Sequence, residues 1–196
     1  MILTIMKQKT TQLIFIVVLY LIPSSCSQKQ TDEKRYPFQS GEIIYQNKVN
    51  EASVIQTLYF KEYGGIETIV TEVSMNNEDV VLTSIFKEDL CYTFSDKPGK
   101  VNETQIDRNK IDHIGLFTIT PIMLEEANAI QEGTEILLDK TCEIYTIKNE
   151  RYDIELWVWD NVIMKMITNY RGTEMIRTVI QIEETASFPS GIFEIP

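Results

Sequence analysis

The residues of this chain most able to do chemistry are three cysteines (Cys26, Cys91 and Cys142), one histidine, two closely spaced tryptophans and a set of methionines. Their spacing argues against catalysis. His113 stands alone in Ile111-Asp112-His113-Ile114, and no second histidine or Cys-x-x-Cys pair exists to complete a zinc site. There is no Gly-x-Ser-x-Gly elbow and no glycine-rich phosphate loop. Glu125 and Glu126 are sequence neighbours, and on a helix their side chains diverge by about 100°, which makes a poor acid/base couple. The chain is expected to be non-enzymatic, with no metal and no cofactor.

Binding is the better use of these side chains. Trp157 and Trp159 share one strand face with Glu155, while Leu156 and Val158 share the other. The tryptophans can line an apolar cavity or supply buried area to an ordinary core. Met123, Met164, Met166 and Met175 pose the same choice, since thioethers suit a plastic lipid pocket and also fill core gaps. Trp157, Trp159, Met123 and Met164 are therefore the candidate ligand-binding residues. Cys91 and Cys142 sit beside apolar residues and can form a disulfide or remain as free buried thiols.

The first 26 residues carry only two charges, Lys7 and Lys9, ahead of the apolar run Leu13–Ile22 and then Pro23-Ser24-Ser25-Cys26. The run is short of the about 20 apolar residues that span a bilayer. A basic start, a short apolar stretch and small residues before a junction describe a secretory signal. Small residues followed by cysteine and a polar stretch resemble a bacterial lipoprotein signal, although Pro23 stands where such signals usually have leucine. The resemblance implies residues 1–25 as the signal, Cys26 as the lipidated residue, and 26–37 as a flexible tether to a membrane. Residues 38–196 are then a single domain, long enough to bury a sizeable core.

The chain has 18 basic and 29 acidic residues. Setting aside Lys7 and Lys9 leaves 16 against 29, a net charge of −13. Such a surface repels phosphate backbones and anionic headgroups. Nucleic acid is thereby excluded as a partner, and membrane attachment rests on the lipid.

The elements that must position these residues are short strands separated by turn signals. Strands are predicted over 42–49, 52–61, 66–73, 80–87, 90–95 and 100–105, with Glu62-Tyr63-Gly64-Gly65 and Asp96-Lys97-Pro98-Gly99 as turns. A helix is predicted over 121–132, with Thr120 as N-cap, Pro121 at its first position and Gly133 at its end. Residues 107–114 are a second short helix or an irregular segment. Strands return over 136–138, 142–148, 152–159, 162–170 and 173–184. The pattern predicts an antiparallel meander, and the two long final strands suit a curved sheet.

Tyr36-Pro37-Phe38 with Ser40-Gly41-Glu42-Ile43-Ile44-Tyr45, Gln56-Thr57-Leu58-Tyr59-Phe60, Leu156-Trp157-Val158-Trp159 and the ending Phe193-Glu194-Ile195-Pro196 resemble uncharacterised bacterial lipoproteins related to the outer-membrane lipoprotein carrier and receptor fold. The chain departs from that pattern at Asp139-Lys140, where a glycine ahead of the lysine is expected. The resemblance implies a mainly β (α+β) fold, a strongly bent antiparallel sheet forming an open half-barrel with short helices across its concave face. It also implies an outer-membrane or other cell-envelope lipoprotein that takes a lipid or lipidated partner into that hollow. The alternative is an envelope structural or interaction protein with a filled core. Lipidation is checked by growth with an alkyne fatty acid: the full chain is expected to carry the label and its Cys26→Ser variant to lose it.

Overall fold

The sheet is built outward from a seam between its first and last strands. In the computed structural model the residues described are 34–75, 78–108, 116–148, 152–185 and 187–196. Eleven strands form one antiparallel sheet: β1 (Gly41–Val49), β2 (Ala52–Lys61), β3 (Ile66–Met75), β4 (Glu78–Lys87), β5 (Leu90–Ser95), β6 (Asn102–Gln105), β7 (Ile130–Leu137), β8 (Lys140–Lys148), β9 (Tyr152–Trp159), β10 (Val162–Tyr170) and β11 (Thr173–Glu184). Their order, β6-β5-β4-β3-β2-β1-β11-β10-β9-β8-β7, is two meanders joined where β1 pairs β11. The sheet curves without closing, giving the open half-barrel that the family resemblance implies.

Two of the hairpins turn through left-handed backbone, which Asp and Asn accept more readily than other non-glycine residues. Leu138 and Asp139 (φ 48° and 59°) join β7 to β8, and Asp160 and Asn161 (φ 47° and 68°) join β9 to β10. Two positive φ values in a two-residue loop match the right-handed twist of the flanking strands. The turn before Lys140 therefore forms without the expected glycine.

One α-helix occurs among the described residues, α1 (Pro121–Glu126). Its start is as predicted: the Met123 amide donates to Thr120 Oγ1 at 3.3 Å, with Pro121 at the first position. Its end is not. The helix stops at Glu126, Asn128 turns left-handed (φ 52°), and β7 begins at Ile130. Residues 130–137 pair with β8 instead, so cross-strand hydrogen bonds override the helical pattern. Gly133, predicted to end the helix, sits at a β-bulge within β7.

Two apolar clusters form. The first gathers Tyr36, Ile43, Tyr45, Leu58, Phe60, Phe117, Trp157 and Met164, among others; the second gathers Leu116, Ile119, Met123, Leu156, Val158 and Ile163. The packed unit begins at Lys34, ahead of the boundary expected at residue 38. Tyr36 is 1 % exposed and stacks on Phe60 at 3.9 Å. Gly64 (φ 94°) makes that contact possible, since a Cβ there would lie 2.7 Å from the Tyr36 ring. Beside it, buried Glu67 pairs with Arg35 (3.2 Å) and with Arg108. Arg35 and Tyr36 are thus parts of the domain. Burial, followed by the nearby Glu67 charge, holds the Tyr36 phenol well above its ordinary value. Tyr36→Ala is expected to lower the free energy of unfolding by about 3–5 kcal/mol, as for other buried aromatics cut to alanine. Urea denaturation measures this, and a loss below about 1 kcal/mol would return the segment to the tether.

Candidate functional site

Arg177 positions the segment that carries α1. The residue is 8 % exposed; its guanidinium donates from Nε to Asn47 Oδ1 (2.9 Å) and from an NH group to the Leu116 carbonyl (2.8 Å), and lies 4.4 Å from the Phe117 ring centre. Burial lowers its pKa, and the Tyr45 phenol offsets part of that shift. The segment then pairs with the start of β10. Ile163 N donates to Phe117 O (2.9 Å) and Ile119 N to Asn161 O (2.8 Å). Leu116, Ile119 and Met123 thereby pack onto Leu156, Val158 and Ile163.

Between the start of α1 and strands β7–β9 lies an open cleft of about 410 Å³. Ile119, Leu124 and Val158 provide its apolar lining; Thr134, Thr141, Glu143, Asp160 and Asn161 provide polar groups. Thr134, Glu143 and Val158 are successive cross-strand neighbours, so one face of three strands makes the floor. Tyr145 donates from its hydroxyl to Glu143 Oε2 at 2.5 Å. This size falls within the about 300–1,000 Å³ of small-molecule sites. Ile119, Leu124 and Val158 beside the Glu143 and Asp160 carboxylates suit an apolar tail with a neutral or cationic head. Among the described residues, no group of three or more His, Cys, Asp or Glu side chains could hold a metal ion.

None of the four residues singled out for ligand binding lines this cleft. Trp157 is 6 % exposed, and its Nε1 donates to Glu135 Oε2 at 2.5 Å. Lys165 Nζ covers its ring at 4.0 Å, and Lys140 Nζ covers Trp159 at 4.5 Å. Both tryptophans pack with Met164 in the first cluster, whereas Met123 belongs to the second. Strand alternation separates them: Trp157 and Trp159 point away from Leu156 and Val158, the residues on which α1 packs. The four therefore do not converge on one hollow. The cleft residues were missed because Glu143, Tyr145 and Asp160 read as ordinary strand and turn residues. The Thr120-Pro121 helix start and the Asp160-Asn161 turn were the only sequence signals near it.

Of the two states open to the cysteines, the structure has the free one. Cys91 and Cys142 are free. Cys91 lies on β5 and Cys142 on β8, with seven strands between them in the sheet order, so the bridge is not formed. Burial pushes the Cys142 thiol up, which leaves it inert. Cys26 and His113 lie outside the described residues.

Tyr145 gives the cleft a spectroscopic handle. Burial first, then the hydrogen bond to Glu143 and that carboxylate's charge, push the phenol from its ordinary 10.0 up to about 12. The folded state holds this proton more tightly than the unfolded chain. Its stabilising contribution is fully present below pH 10 and is lost as pH rises from 10 through about 12. In Glu143→Gln the Tyr145 transition is expected to move down toward 10.0. Difference absorbance of the phenolate, with Tyr145→Phe identifying the transition, measures it.

No family model matches the chain, and no curated protein matches it. Solved structures do. The chain is similar to an uncharacterised conserved protein from Thermus thermophilus, at 9 % identity over 81 % of this chain and 86 % of that one, with a TM-score of 0.57. It is also similar to a LolA superfamily protein from Nitrosomonas europaea (9 % identity, 84 % and 94 % covered, TM-score 0.39) and to the lipoprotein LppX of Mycobacterium tuberculosis (9 %, 74 % and 88 %, TM-score 0.41). The Thermus likeness is one of fold, and the two lower scores add nothing about ligand or partner.

Proposed function

We propose that the chain is a lipid-anchored protein of the bacterial cell envelope that binds a hydrophobic ligand, a lipid or a lipidated partner, without catalysis. The observation that carries this reading is the open cleft beneath α1, with Ile119, Leu124 and Val158 as its apolar lining. An acyl chain laid there gains about 0.8 kcal/mol per buried methylene. Glu143 and Asp160 beside that lining disfavour a fatty carboxylate and favour an amine or hydroxyl head. Attachment rests on the reading of residues 1–26 as a lipoprotein signal ending at Cys26, and the outer membrane is the proposed location. The tether then spans only the residues between Cys26 and Lys34, where the packed unit begins.

A second reading, an envelope interaction protein with a filled core, is favoured by the burial of Trp157 and Met164. Native mass spectrometry of the Cys26→Ser protein after exposure to a bacterial lipid extract separates the two. A bound lipid mass is expected, retained in Trp157→Phe and lost in Leu124→Trp, which fills the cleft. A clean apo mass would leave the interaction protein as the function.

A further inference from the structure

We propose that the free edge of β7 is a docking site for an extended, basic segment of a partner protein, added to the sheet as a further strand. This goes beyond the ligand reading and uses a different surface. The sheet order ends at β7, and among the described residues no strand pairs with its outer edge. An unpaired edge presents backbone N–H and C=O groups as a template for another strand.

The two ends of the sheet differ. At the far end β6 has four residues, Asn102–Gln105, all polar. At this end β7 has eight residues with no lysine and no proline, two common means of blunting an edge, and its one protective device is the bulge at Gly133. It displays Ile130 at 62 % exposure and Ile136 at 69 %, followed by Leu138 at 46 %. Side chains this apolar and this exposed along one edge contribute most when a second strand covers them.

Charge selects the occupant. Between Pro121 and Glu143 the chain carries six carboxylates and one lysine. That lysine, Lys140, is drawn over the Trp159 ring. A second copy of this chain, paired antiparallel about the middle of β7, would set Glu132 of each copy against Glu135 of the other, and like charges across a strand pair are destabilising. A strand alternating lysine or arginine with β-branched residues meets Glu135 with opposite charge on one face and Ile136 with apolar surface on the other. The partner is therefore a basic, extended protein segment.

The test uses the full chain with Cys26→Ser and a synthetic peptide alternating lysine and valine. Controls are the same peptide with glutamate for lysine, and one with proline at alternate positions. The lysine peptide is expected to slow hydrogen exchange along β7 and leave β6 unchanged. The double variant Glu132→Lys, Ile136→Lys, altered only at exposed positions, is expected to weaken binding by about tenfold with an unchanged unfolding midpoint. Leu124→Trp, which fills the cleft, is expected to leave peptide binding intact, so failure of the ligand reading does not touch this one. Three results would overturn the proposal: no protection on β7, equal binding of either control peptide, or β7 protection that grows with protein concentration alone, which would identify a second copy.

Discussion

The pairing of β1 with β11 is the constraint on which the rest of the molecule depends. It joins residues as far apart as Asn47 and Arg177 in a single hydrogen-bonded register. Each meander is local and inexpensive to form, because its strands are connected by tight turns. The seam closes the longest loop in the fold, although doubling a loop's length adds only about 0.6 kcal/mol of closure entropy. Side chains repay that cost on the spot: Ile43 lies between Leu58 and Ile182, and Tyr45 opposes Val179. The β-bulge between Ile44 and Tyr45 falls on this seam, where it increases local twist and bends the sheet. The same long-range pairing predicts slower folding than the short hairpins alone suggest.

Arg177 extends the seam's influence to the site. From β11 it reaches Asn47 on β1 and the backbone at Leu116, and it lies against Phe117. A buried guanidinium is costly unless its donors are engaged, so it holds the 116–120 segment in one place. That placement lays α1 over β9 and leaves the cleft beside it. The position of the cleft is thus a consequence of the seam, transmitted through one side chain and two backbone pairings to β10.

The opposite side of β9 is packed shut. Two lysines lie over the tryptophan rings, Glu135 takes the Trp157 N–H, and Phe38 approaches Trp159 at 6.5 Å. An indole N–H taken out of water needs an acceptor. The carboxylate that supplies one comes from β7, two strands away in the sheet order. These aromatics stabilise the fold and hold the β7–β9 flank together, which in turn fixes the cleft floor on the other face.

Strand identity, hairpin positions and the start of α1 were legible in the sequence. They depend on alternation, on Asn, Asp and Gly at turns, and on the Thr120-Pro121 cap, all of which act within a few residues. The end of α1 was not legible. Ala127, Ile130 and Gly133 fit a helical stripe and its stop, and only the presence of β8 as a pairing partner makes 130–137 a strand. The packing of Arg35 and Tyr36 was not legible for a similar reason, since it depends on Glu67 and Phe60, which lie far along the chain. The free state of Cys91 and Cys142 depends on the strand order, which no local pattern encodes. The sequence by itself determined the local elements and the alternation of their faces. The tertiary structure decided which faces became core and which became cleft, because that choice depends on contacts between residues far apart in the chain.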